Sequence, residues 1–400
     1  MTLSGWGRYP VLKARTYTPR SVAGVQDLVC STPSLIARGN GRAYGDSAIN
    51  AAATLETRHL NRMLSFDAET GELVSEPGVL VGEIISAFLP RGWFPLVTPG
   101  TKFATLGGAI AADVHGKNHH KDGSFRTCVV WIDVMDATGT ISRCSRTENA
   151  MLFEHTLGGM GLTGIITQAA IRLKSVETAW IRQSKHPAPN LRAAMDVFEA
   201  NQDATYSVAW IDCLAGGSDL GRSLVMLGEH ANLNDLPTAQ RQMPLDAPRR
   251  RNRKVPFDIP GLVLNPFTVR AFNAFYYWVG SKKRGKHLVD WDTFFYPLDS
   301  ILRWNRIYGR NGFAQFQCVF PLETSETGLS ELLKATAKVG AGSFLAVLKR
   351  IGEQNSPFSF PMEGYTLALD FPVNTKTLAL LKELDRIALE HCGRFYLAKD

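Results

Sequence analysis

Apolar residues recur along the chain at two spacings, and each spacing predicts a different kind of element. Helical spacing predicts helices at residues 81–89, ending before Pro90, and at residues 150–157, and residues 18–29 fit a short helix capped by Ser21. Alternation predicts a hairpin at residues 66–73 and strands at residues 129–135, 165–173, 206–211, 312–320 and 365–371. The chain therefore mixes strands and helices.

A glycine-rich stretch at residues 37–47 directly follows an apolar pair. Its three glycines allow positive φ and let a ligand approach the backbone closely. Successive N–H groups in such a turn form a concave anion site that suits a pyrophosphate, and two arginines add positive charge. The spacing Gly-x-Gly-x-x-x-Gly differs from the dinucleotide fingerprint of a Rossmann fold, and an ordinary glycine-rich turn is the alternative.

Two further glycine segments follow. Residues 105–112 place Gly107 and Gly108 before a small apolar run, which suits close packing beside a flat ligand or simply a tightly packed helix start. Residues 159–164 match Gly-x-Gly-x-x-Gly, but a helical pattern precedes them and a strand pattern follows. Because the nicotinamide fingerprint needs the reverse order, these glycines predict a bend.

His115 and His119 stand four residues apart, a spacing that could place two metal ligands on one helix face. Gly116 and Asn118 are poor helix residues, and no glutamate stands in the motif as a base. The sequence therefore predicts no metal site. Each histidine alone also fits a packed, hydrogen-bonded residue.

The overall charge favours anionic partners. A formal net charge of +7 and a pI near 9.1 suit phosphates or an acidic membrane surface. No zinc-finger spacing, basic zipper or aromatic RNA-binding signature supports nucleic acid. Six scattered cysteines predict free thiols in a reducing compartment. The chain shows no secretory signal or membrane-spanning stretch, so we expect a cytoplasmic protein.

Two basic runs, at residues 249–254 and 282–286, flank an aromatic, apolar stretch at residues 267–279. Charge runs are usually solvated loops. The alternative is a membrane-surface patch, in which basic residues meet anionic headgroups and aromatic residues meet acyl chains. The second interpretation predicts a peripheral protein on the inner membrane.

A chain of 400 residues predicts two domains. The glycine loops cease after Lys174, which puts a boundary near residues 174–178. Taken together, the motifs resemble the vanillyl-alcohol-oxidase, or PCMH-type, FAD-binding family, and the match is collinear from Gly5 to the last residue. The residues that carry it are Gly5-Trp6-Gly7-Arg8, 37–47, Pro99-Gly100-Thr101, 107–111, 115–120, 161–166, Trp304-Asn305-Arg306, Gly312-Phe313, Gln315, Gln317, Tyr396 and Ala398-Lys399-Asp400.

The resemblance implies an α+β, two-domain fold with an FAD-binding domain at 5–176 and a substrate domain on an antiparallel sheet at 177–375. Residues 376–400 would return to the FAD domain. Other members of the family continue from there through further C-terminal helices, so this domain would end early by comparison. The implied FAD is non-covalent, because the first loop has Arg42 and no histidine. The implied FAD-binding residues are Ala37, Arg38, Gly39, Asn40, Gly41, Arg42, Ala43, Tyr44, Gly45, Asp46, Ser47, Gly100, Thr105, Leu106, Gly107, Gly108, His115, Gly116, Lys117, Asn118, Ile166 and Tyr396.

Within the family, the chain is most similar to the branch that oxidises the 2-hydroxyl of a polyprenylphosphoryl-β-D-ribose to the 2-keto sugar, in cell-wall arabinan precursor synthesis. That similarity implies a lipid-linked sugar phosphate as substrate and a partner reductase. Lys399 is the first candidate for the base, His115 the second, and Tyr44 could orient the sugar or flavin. The implied substrate residues are Tyr296, Arg306, Gln315, Gln317, Lys349 and Asp370.

Two other functions remain open from the sequence. One is a soluble alditol or aldonolactone oxidase of the same fold, which would need no lipid patch. The other is a flavin-binding component without turnover, which the early end of the chain keeps open.

Overall fold

The structure is a computed structural model, and it describes residues 1–248, 250–282 and 285–400. Three members of the basic runs, Arg249, Lys283 and Arg284, lie outside the described residues. The strands are β1 Thr2–Ser4, β2 Val11–Lys13, β3 Thr16–Tyr17, β4 Ile36–Arg38, β5 Thr54–Glu56, β6 Met63–Asp67, β7 Glu72–Ser75, β8 Trp93–Pro95, β9 Val129–Met135, β10 Ile141–Ser145, β11 Ile165–Ser175, β12 Trp180–Ala188, β13 Tyr206–Ile211, β14 Ser223–His230, β15 Arg253–Lys254, β16 Gly285–Asp290, β17 Ile301–Leu302, β18 Phe313–Pro321, β19 Val347–Ile351, β20 Gly364–Pro372 and β21 Arg394–Phe395. The helices are α1 Val22–Ser31, α2 Val81–Phe88, α3 Leu106–Ala111, α4 His119–Asp122, α5 Ala150–Thr156, α6 Leu191–Glu199, α7 Thr238–Arg241, α8 Pro266–Lys282, α9 Trp291–Phe295, α10 Leu322–Val339 and α11 Thr375–Glu390.

Most elements named from the sequence are present, for the physical reasons that predicted them. Ser21 caps α1 by accepting a hydrogen bond from the Gly24 N–H at 3.1 Å. The predicted hairpin pairs β6 with β7, and Phe66 faces Leu73 across it. The helices α2 and α5 and the strands β9, β11, β13, β18 and β20 lie within two residues of their predicted bounds.

The chain divides into two compact units. Unit 1 comprises Met1–Gly116, Ser124–Ala179 and Asn355–Ser359. Unit 2 comprises Lys117–Gly123, Trp180–Gln354 and Phe360–Asp400. Each unit therefore holds a short segment that the chain order places within the other.

Unit 1 is built on two main sheets, and β1 and β2 form a separate antiparallel pair. The strands β3, β5 and β4 form a small parallel sheet, on which α1 packs through Val25 and Val29. The larger sheet is antiparallel, in the order β10-β9-β11-β7-β6, with β8 pairing the far end of β11. Its core contains residues of α2, α3 and α5. The parallel sheet ends at Arg38, where the first glycine loop begins.

Unit 2 is built on one antiparallel sheet of eight strands, in the order β16-β12-β14-β13-β19-β20-β18-β21. Its main core contains residues of α6, α10 and α11. The sequence predicted an α+β protein with an antiparallel sheet in its second part, and this is confirmed.

The C-terminal segment lies in unit 2. α11 packs on α10, and β21 pairs with β18, with Cys318 opposite Phe395. The sequence analysis assigned residues 376–400 to the FAD domain instead. The pairing of β21 with β18 explains the difference, since it makes β21 the edge strand of the second sheet. Among the described residues, no helix is both long and apolar enough to cross a membrane.

Candidate active site

The first glycine loop of unit 1 leaves the carboxyl end of β4 in the parallel sheet. Open α/β sheets commonly bind ligands at the carboxyl ends of their parallel strands. Residues 39–53 contain no helix or strand, and Gly41 has φ +59°. An irregular loop with a glycine in the left-handed region therefore lies at this sheet edge.

The N-terminal segment holds this loop in place. The Trp6 N–H donates to the Ala43 carbonyl at 2.8 Å, and the Gly7 N–H donates to the Tyr44 carbonyl at 3.1 Å. A Cβ at Gly5 would stand 2.1 Å from the Gly45 carbonyl oxygen, so this approach requires glycine. The loop is thus fixed by backbone hydrogen bonds from a segment distant in sequence.

The second glycine segment meets the first. A Cβ at Gly39 would lie 2.2 Å from Thr105 Oγ1, and the Asn40 side-chain amide donates to the Phe103 carbonyl at 2.9 Å. Thr105 also caps α3 by accepting from the Gly108 N–H at 3.2 Å. The two loops that the sequence assigned to one cofactor are therefore neighbours within unit 1.

Two arginines give the loop its charge. Arg38 donates from Nη2 to the Ser4 carbonyl at 2.7 Å, and burial lowers its pKa below the ordinary value. The Arg42 guanidinium lies between the rings of Trp6 and Phe103, at 4.1 and 4.9 Å from their centroids. Both cations are held by residues outside the loop, Ser4, Trp6 and Phe103, which suits a fixed anionic ligand.

Ser47 tests whether the loop fits a bound pyrophosphate. Its Oγ is buried, and no other described residue hydrogen-bonds to it. Buried hydroxyls normally have a partner, so this one calls for a ligand or a water. A hydroxyl, two cations and a glycine turn with close backbone approach are groups that bind a dinucleotide phosphate. The residues present fit FAD.

The remaining FAD-binding predictions divide between the units. Unit 1 holds those from Gly100 to Gly116, as well as Ile166. The Gly107 position is explained by packing, since a Cβ there would lie 2.7 Å from Pro77. His115 is buried and pairs by a β-bridge with Ser124. Unit 2 holds the other three, which are Lys117, Asn118 and Tyr396.

A polar surface lies on one face of the sheet in unit 2. Gln315 pairs with Asp370 and Gln317 with Ala368 between β18 and β20, and Lys349 of β19 pairs with Thr366. Directly paired residues share a face, so these side chains lie together. The alternate residues of the same strands, such as Phe316, Leu367 and Leu348, belong to the apolar core. We call this side of β18, β19 and β20 the polar face.

Asp370 is the buried carboxylate of the polar face. The Gln315 side-chain amide donates to its Oδ1, and the Tyr308 hydroxyl lies 3.4 Å from Oδ2. Its backbone N–H donates to Ser343 Oγ at 3.2 Å. Burial raises the pKa of Asp370, while these hydrogen bonds and the charge of Lys399 oppose the rise.

Lys349 interacts electrostatically with two other lysines, Lys117 and Lys399, and Lys399 also interacts with this carboxylate. Their side chains are half-buried overall, but burial of the ammonium groups dominates their pKa values. Burial, helped by the charge of Lys349, lowers the pKa of Lys117 from 10.5 to about 7. Burial lowers the pKa of Lys349 from 10.5 to about 8. Burial lowers the pKa of Lys399 from 10.5 to about 7; the charge of Asp370 raises this pKa, and the charge of Lys349 lowers it.

Hydrogen bonds fix the positions of Lys117 and Lys399. The Lys117 carbonyl accepts from the Ser207 N–H at 2.7 Å, and its Nζ donates to the Phe294 carbonyl and lies 4.3 Å from that ring's centroid. The Lys399 N–H donates to the Tyr396 carbonyl at 2.9 Å. The Tyr396 N–H in turn donates to Gln317 at 3.1 Å, which ties the C-terminal segment to β18.

Two predicted substrate residues lie elsewhere in unit 2. Arg306 donates to the Pro256 carbonyl at 2.5 Å and lies 3.8 Å from Asp258, so it braces a loop. Tyr296 is fully buried at the end of α9 and packs edge-on against Trp291. Gln317 lies on the polar face but donates to Thr366 Oγ1 at 3.2 Å. Of the predicted substrate set, Gln315, Lys349 and Asp370 come together most closely with Lys399.

Sequence reasoning missed two features of this cluster. Tyr308 contacts Asp370 from a short 3-10 helix, and no periodic signal marks it. Lys117 remains a predicted FAD-binding residue, and nothing in the sequence indicated its electrostatic interaction with Lys349 of the polar face. The lowered pKa values of the three lysines could not be read from the sequence, because they arise from burial and, for Lys117 and Lys399, also from the charge of Lys349.

The candidate residues of the two units have different chemical capacities. The loops of unit 1 suit a dinucleotide phosphate. The polar face of unit 2 offers amines that are partly neutral near pH 7, together with a carboxylate and an amide. A neutral amine can accept a proton, and a protonated one can bind an anion. Among the described residues, no cluster of side chains could hold a metal ion.

Comparison with known proteins identifies the family to which the chain is related. Residues 14–145 match the model of the FAD binding domain family. Over the whole chain, 35% of residues are identical to decaprenylphosphoryl-β-D-ribose oxidase of Mycolicibacterium smegmatis, and the match covers 88% of that protein. An uncharacterized protein of Streptomyces coelicolor is 33% identical over 78% of this chain and 86% of its own length.

More distant relatives share part of the chain. Bovine L-gulonolactone oxidase (Bos taurus) is 24% identical over 49% of this chain and 45% of its own length. The FAD-domain match covers both glycine segments of unit 1, and the full-length match extends through the polar face of unit 2. The chain therefore belongs to the vanillyl-alcohol-oxidase type, or PCMH-type, family of FAD-dependent oxidoreductases, in the branch that contains decaprenylphosphoryl-β-D-ribose oxidase.

Proposed function

We propose that this protein oxidises the 2-hydroxyl of a polyprenylphosphoryl-β-D-ribose to the 2-keto sugar, in the synthesis of cell-wall arabinan precursors. The observation that carries the proposal is the cluster of Lys117, Lys349, Lys399 and Asp370 in unit 2, in a chain related over its full length to an enzyme named for this substrate. Oxidation of a sugar phosphate needs both an anion site and a base, and different lysines of this cluster supply them.

Lys117 and Lys349 are the proposed phosphate-binding residues. Because their pKa values are lowered, a fraction of these two lysines is unprotonated near pH 7 in the free protein. A phosphate brought close would favour the charged form and raise both pKa values again. Substrate binding would therefore take up protons at these two ammonium groups. Gln315 and Asp370 would hold sugar hydroxyls.

Lys399 is the proposed base. Oxidation breaks the C2–H bond with its electron pair, and the hydroxyl proton must leave at the same time. A neutral Nζ of Lys399 accepts that proton and becomes an ammonium, which Asp370 stabilises electrostatically. His115 is retained as a second candidate for this proton, and Tyr44 as a residue that orients the sugar.

FAD, when bound, supplies the acceptor for the hydride that leaves C2. We propose that residues 37–47 and 105–108 hold its pyrophosphate through backbone N–H groups, Arg38, Arg42 and Ser47. We also propose non-covalent attachment, because the first loop contains neither histidine nor cysteine. Flavin that remained with acid-precipitated protein would contradict this last point.

The lipid tail suggests where the enzyme works. We propose that it associates with an anionic membrane surface, where a polyprenyl-linked substrate resides, and that a partner reductase consumes the keto sugar. The aromatic stretch and basic runs between residues 249 and 286 support the membrane association.

The proposed reaction is tested with a short-chain polyprenylphosphoryl-β-D-ribose that carries deuterium at C2. We expect mass spectrometry to show that the product has lost that deuterium and gained a carbonyl. The hydrogens at C1 and C3 should be retained. Turnover of free alditols or aldonolactones without turnover of the lipid phosphate would favour the soluble oxidase. Flavin reduction by none of these substrates would favour the flavin-binding component.

A further inference from the structure

Helix α8 (Pro266–Lys282) presents one side to the sheet of unit 2. Asn273 is fully buried and donates from Nδ2 to Asp212 at 2.8 Å. A Cβ at Gly280 would lie 2.2 Å from Leu224, so the helix backbone approaches β14 closely. The spacings of four and seven residues place Val269, Asn273 and Gly280 on one face of the helix. This face is fully used in anchoring the helix.

The opposite side of α8 is also apolar, but it faces solvent. Phe267, Phe275 and Trp278 are 79%, 63% and 55% exposed. With Ala271 between them, they recur at spacings of four, four and three residues, which places them along one stripe. We call these four residues the outer stripe. A surface helix of a globular protein normally has one apolar side, and this helix has two.

The charge around the outer stripe has one sign. α8 contains Arg270 and Lys282 and no carboxylate. Residues 249–286 carry ten lysines and arginines against a single acidic residue, Asp258, so the rest of the chain is slightly acidic despite the overall +7. Lys282 Nζ lies 3.4 Å from the Trp278 ring centroid, which puts an ammonium at the end of the stripe.

We propose that the outer stripe of α8 is the surface by which this protein docks on anionic lipid. Phe267, Phe275 and Trp278 enter the boundary between headgroups and acyl chains, while Arg270 and Lys282 contact anionic headgroups. The inference extends the membrane association proposed above and rests on that function for its biological purpose. The docking itself depends only on the two-sided helix and its charge.

Charge decides between lipid and a second copy of the chain. Two copies that met through this stripe would bring together two segments of strongly positive charge, because the whole excess lies here. An anionic lipid surface instead complements the charge and accepts aromatic side chains at the same depth. The outer stripe runs along the helix axis, so α8 would lie parallel to the membrane plane when docked.

The test is co-sedimentation of the full chain with vesicles of phosphatidylglycerol mixed with phosphatidylcholine, and with pure phosphatidylcholine vesicles. We expect binding to the anionic vesicles that weakens with added salt. The variant Phe267→Ser/Phe275→Ser/Trp278→Ser should bind at least about tenfold more weakly, because it removes the buried aromatic area. Arg270→Glu/Lys282→Glu should lose the preference for anionic lipid.

A matched control removes exposed apolar residues elsewhere. Met151→Ser/Leu162→Ser/Leu389→Ser changes side chains that are 77%, 86% and 65% exposed, and it should bind like the unmodified protein. Equal binding by the aromatic variant and the unmodified protein would overturn the inference, and so would absence of binding to anionic vesicles. A dimer that the aromatic variant dissociates, without vesicle binding, would assign the stripe to a second copy and also overturn it.

Turnover of a short-chain substrate without vesicles separates this inference from the proposed function. The aromatic variant should keep that turnover, because the outer stripe is not part of the polar face. If the unmodified protein binds vesicles and oxidises no lipid-linked ribose, the proposed function fails while the docking surface stands.

Discussion

The pKa of Lys399 is set by two neighbours of opposite charge. Asp370 favours its ammonium form, and Lys349 disfavours it, against a background of burial that favours the neutral amine. A proton acceptor must be neutral, so activity should rise with pH through this lowered pKa. Two variants that move the same pKa in opposite directions can therefore identify the base.

We expect the rate of flavin reduction to rise with pH and to level off well below 10.5, the ordinary lysine pKa. Asp370→Asn removes a negative charge and should move the midpoint to lower pH, whereas Lys349→Met removes a positive charge and should move it to higher pH. Stopped-flow measurement of the rate at saturating substrate checks both shifts. Midpoints that stayed fixed in both variants would remove Lys399 from the role of base.

Ser47 offers a test of cofactor binding at a single atom. Its buried Oγ has no hydrogen-bond partner among the described residues. Ser47→Ala should leave the free energy of unfolding of the flavin-free protein almost unchanged and weaken FAD binding by about 0.5–1.5 kcal/mol, the usual worth of one hydrogen bond. Flavin fluorescence titration measures the affinity. Unchanged affinity would place the pyrophosphate away from Ser47.

The turn after α3 is held by a buried ion pair in unit 1. Arg126 donates from its backbone N–H and from Nε to Asp113, at 2.9 and 2.8 Å, and the Ser359 hydroxyl also donates to this carboxylate. Asp113 has φ +40°, a backbone conformation that side chains rarely adopt. Arg126 therefore links this turn, two residues before His115, to the distant segment Asn355–Ser359.

Arg126→Met should destabilise unit 1 by about 3–5 kcal/mol, because it removes the cation that pairs with the buried Asp113 carboxylate. The control is Arg143→Met, which breaks a more exposed pair with Asp133 and should cost less than about 1 kcal/mol. Urea unfolding of the flavin-free variants measures both. Equal effects would mean that the buried network does not hold the turn.

At the level of elements, local sequence patterns predicted many of the helices and strands. Alternation and capping identified α1, α2, α5 and the central strands of both units, because those signals lie within a few residues of each other. The sequence analysis did not name α11, although Leu380, Leu384 and Ile387 recur at helical spacing and are buried. That helix was available to the same reasoning, whereas the two apolar sides of α8 became visible only with its packing.

At the level of the whole molecule, the segments that cross between units limited prediction. Lys117 lies two residues after His115, yet it belongs to unit 2, and Asn355–Ser359 belongs to unit 1. Such exchanges depend on contacts between residues far apart in sequence, such as Arg126 with Ser359. The motif resemblance gave the cofactor and reaction class, but it could not show which lysines are coupled.

If this flavoprotein oxidises a lipid-linked ribose, that substrate must reduce the bound flavin. The visible spectrum of the purified, FAD-loaded protein is recorded anaerobically before and after addition of a short-chain polyprenylphosphoryl-β-D-ribose. The account predicts that the yellow flavin band bleaches, and that Lys399→Met keeps the band but bleaches about 10²–10⁴-fold more slowly. A flavin band that this substrate leaves unchanged would contradict the account.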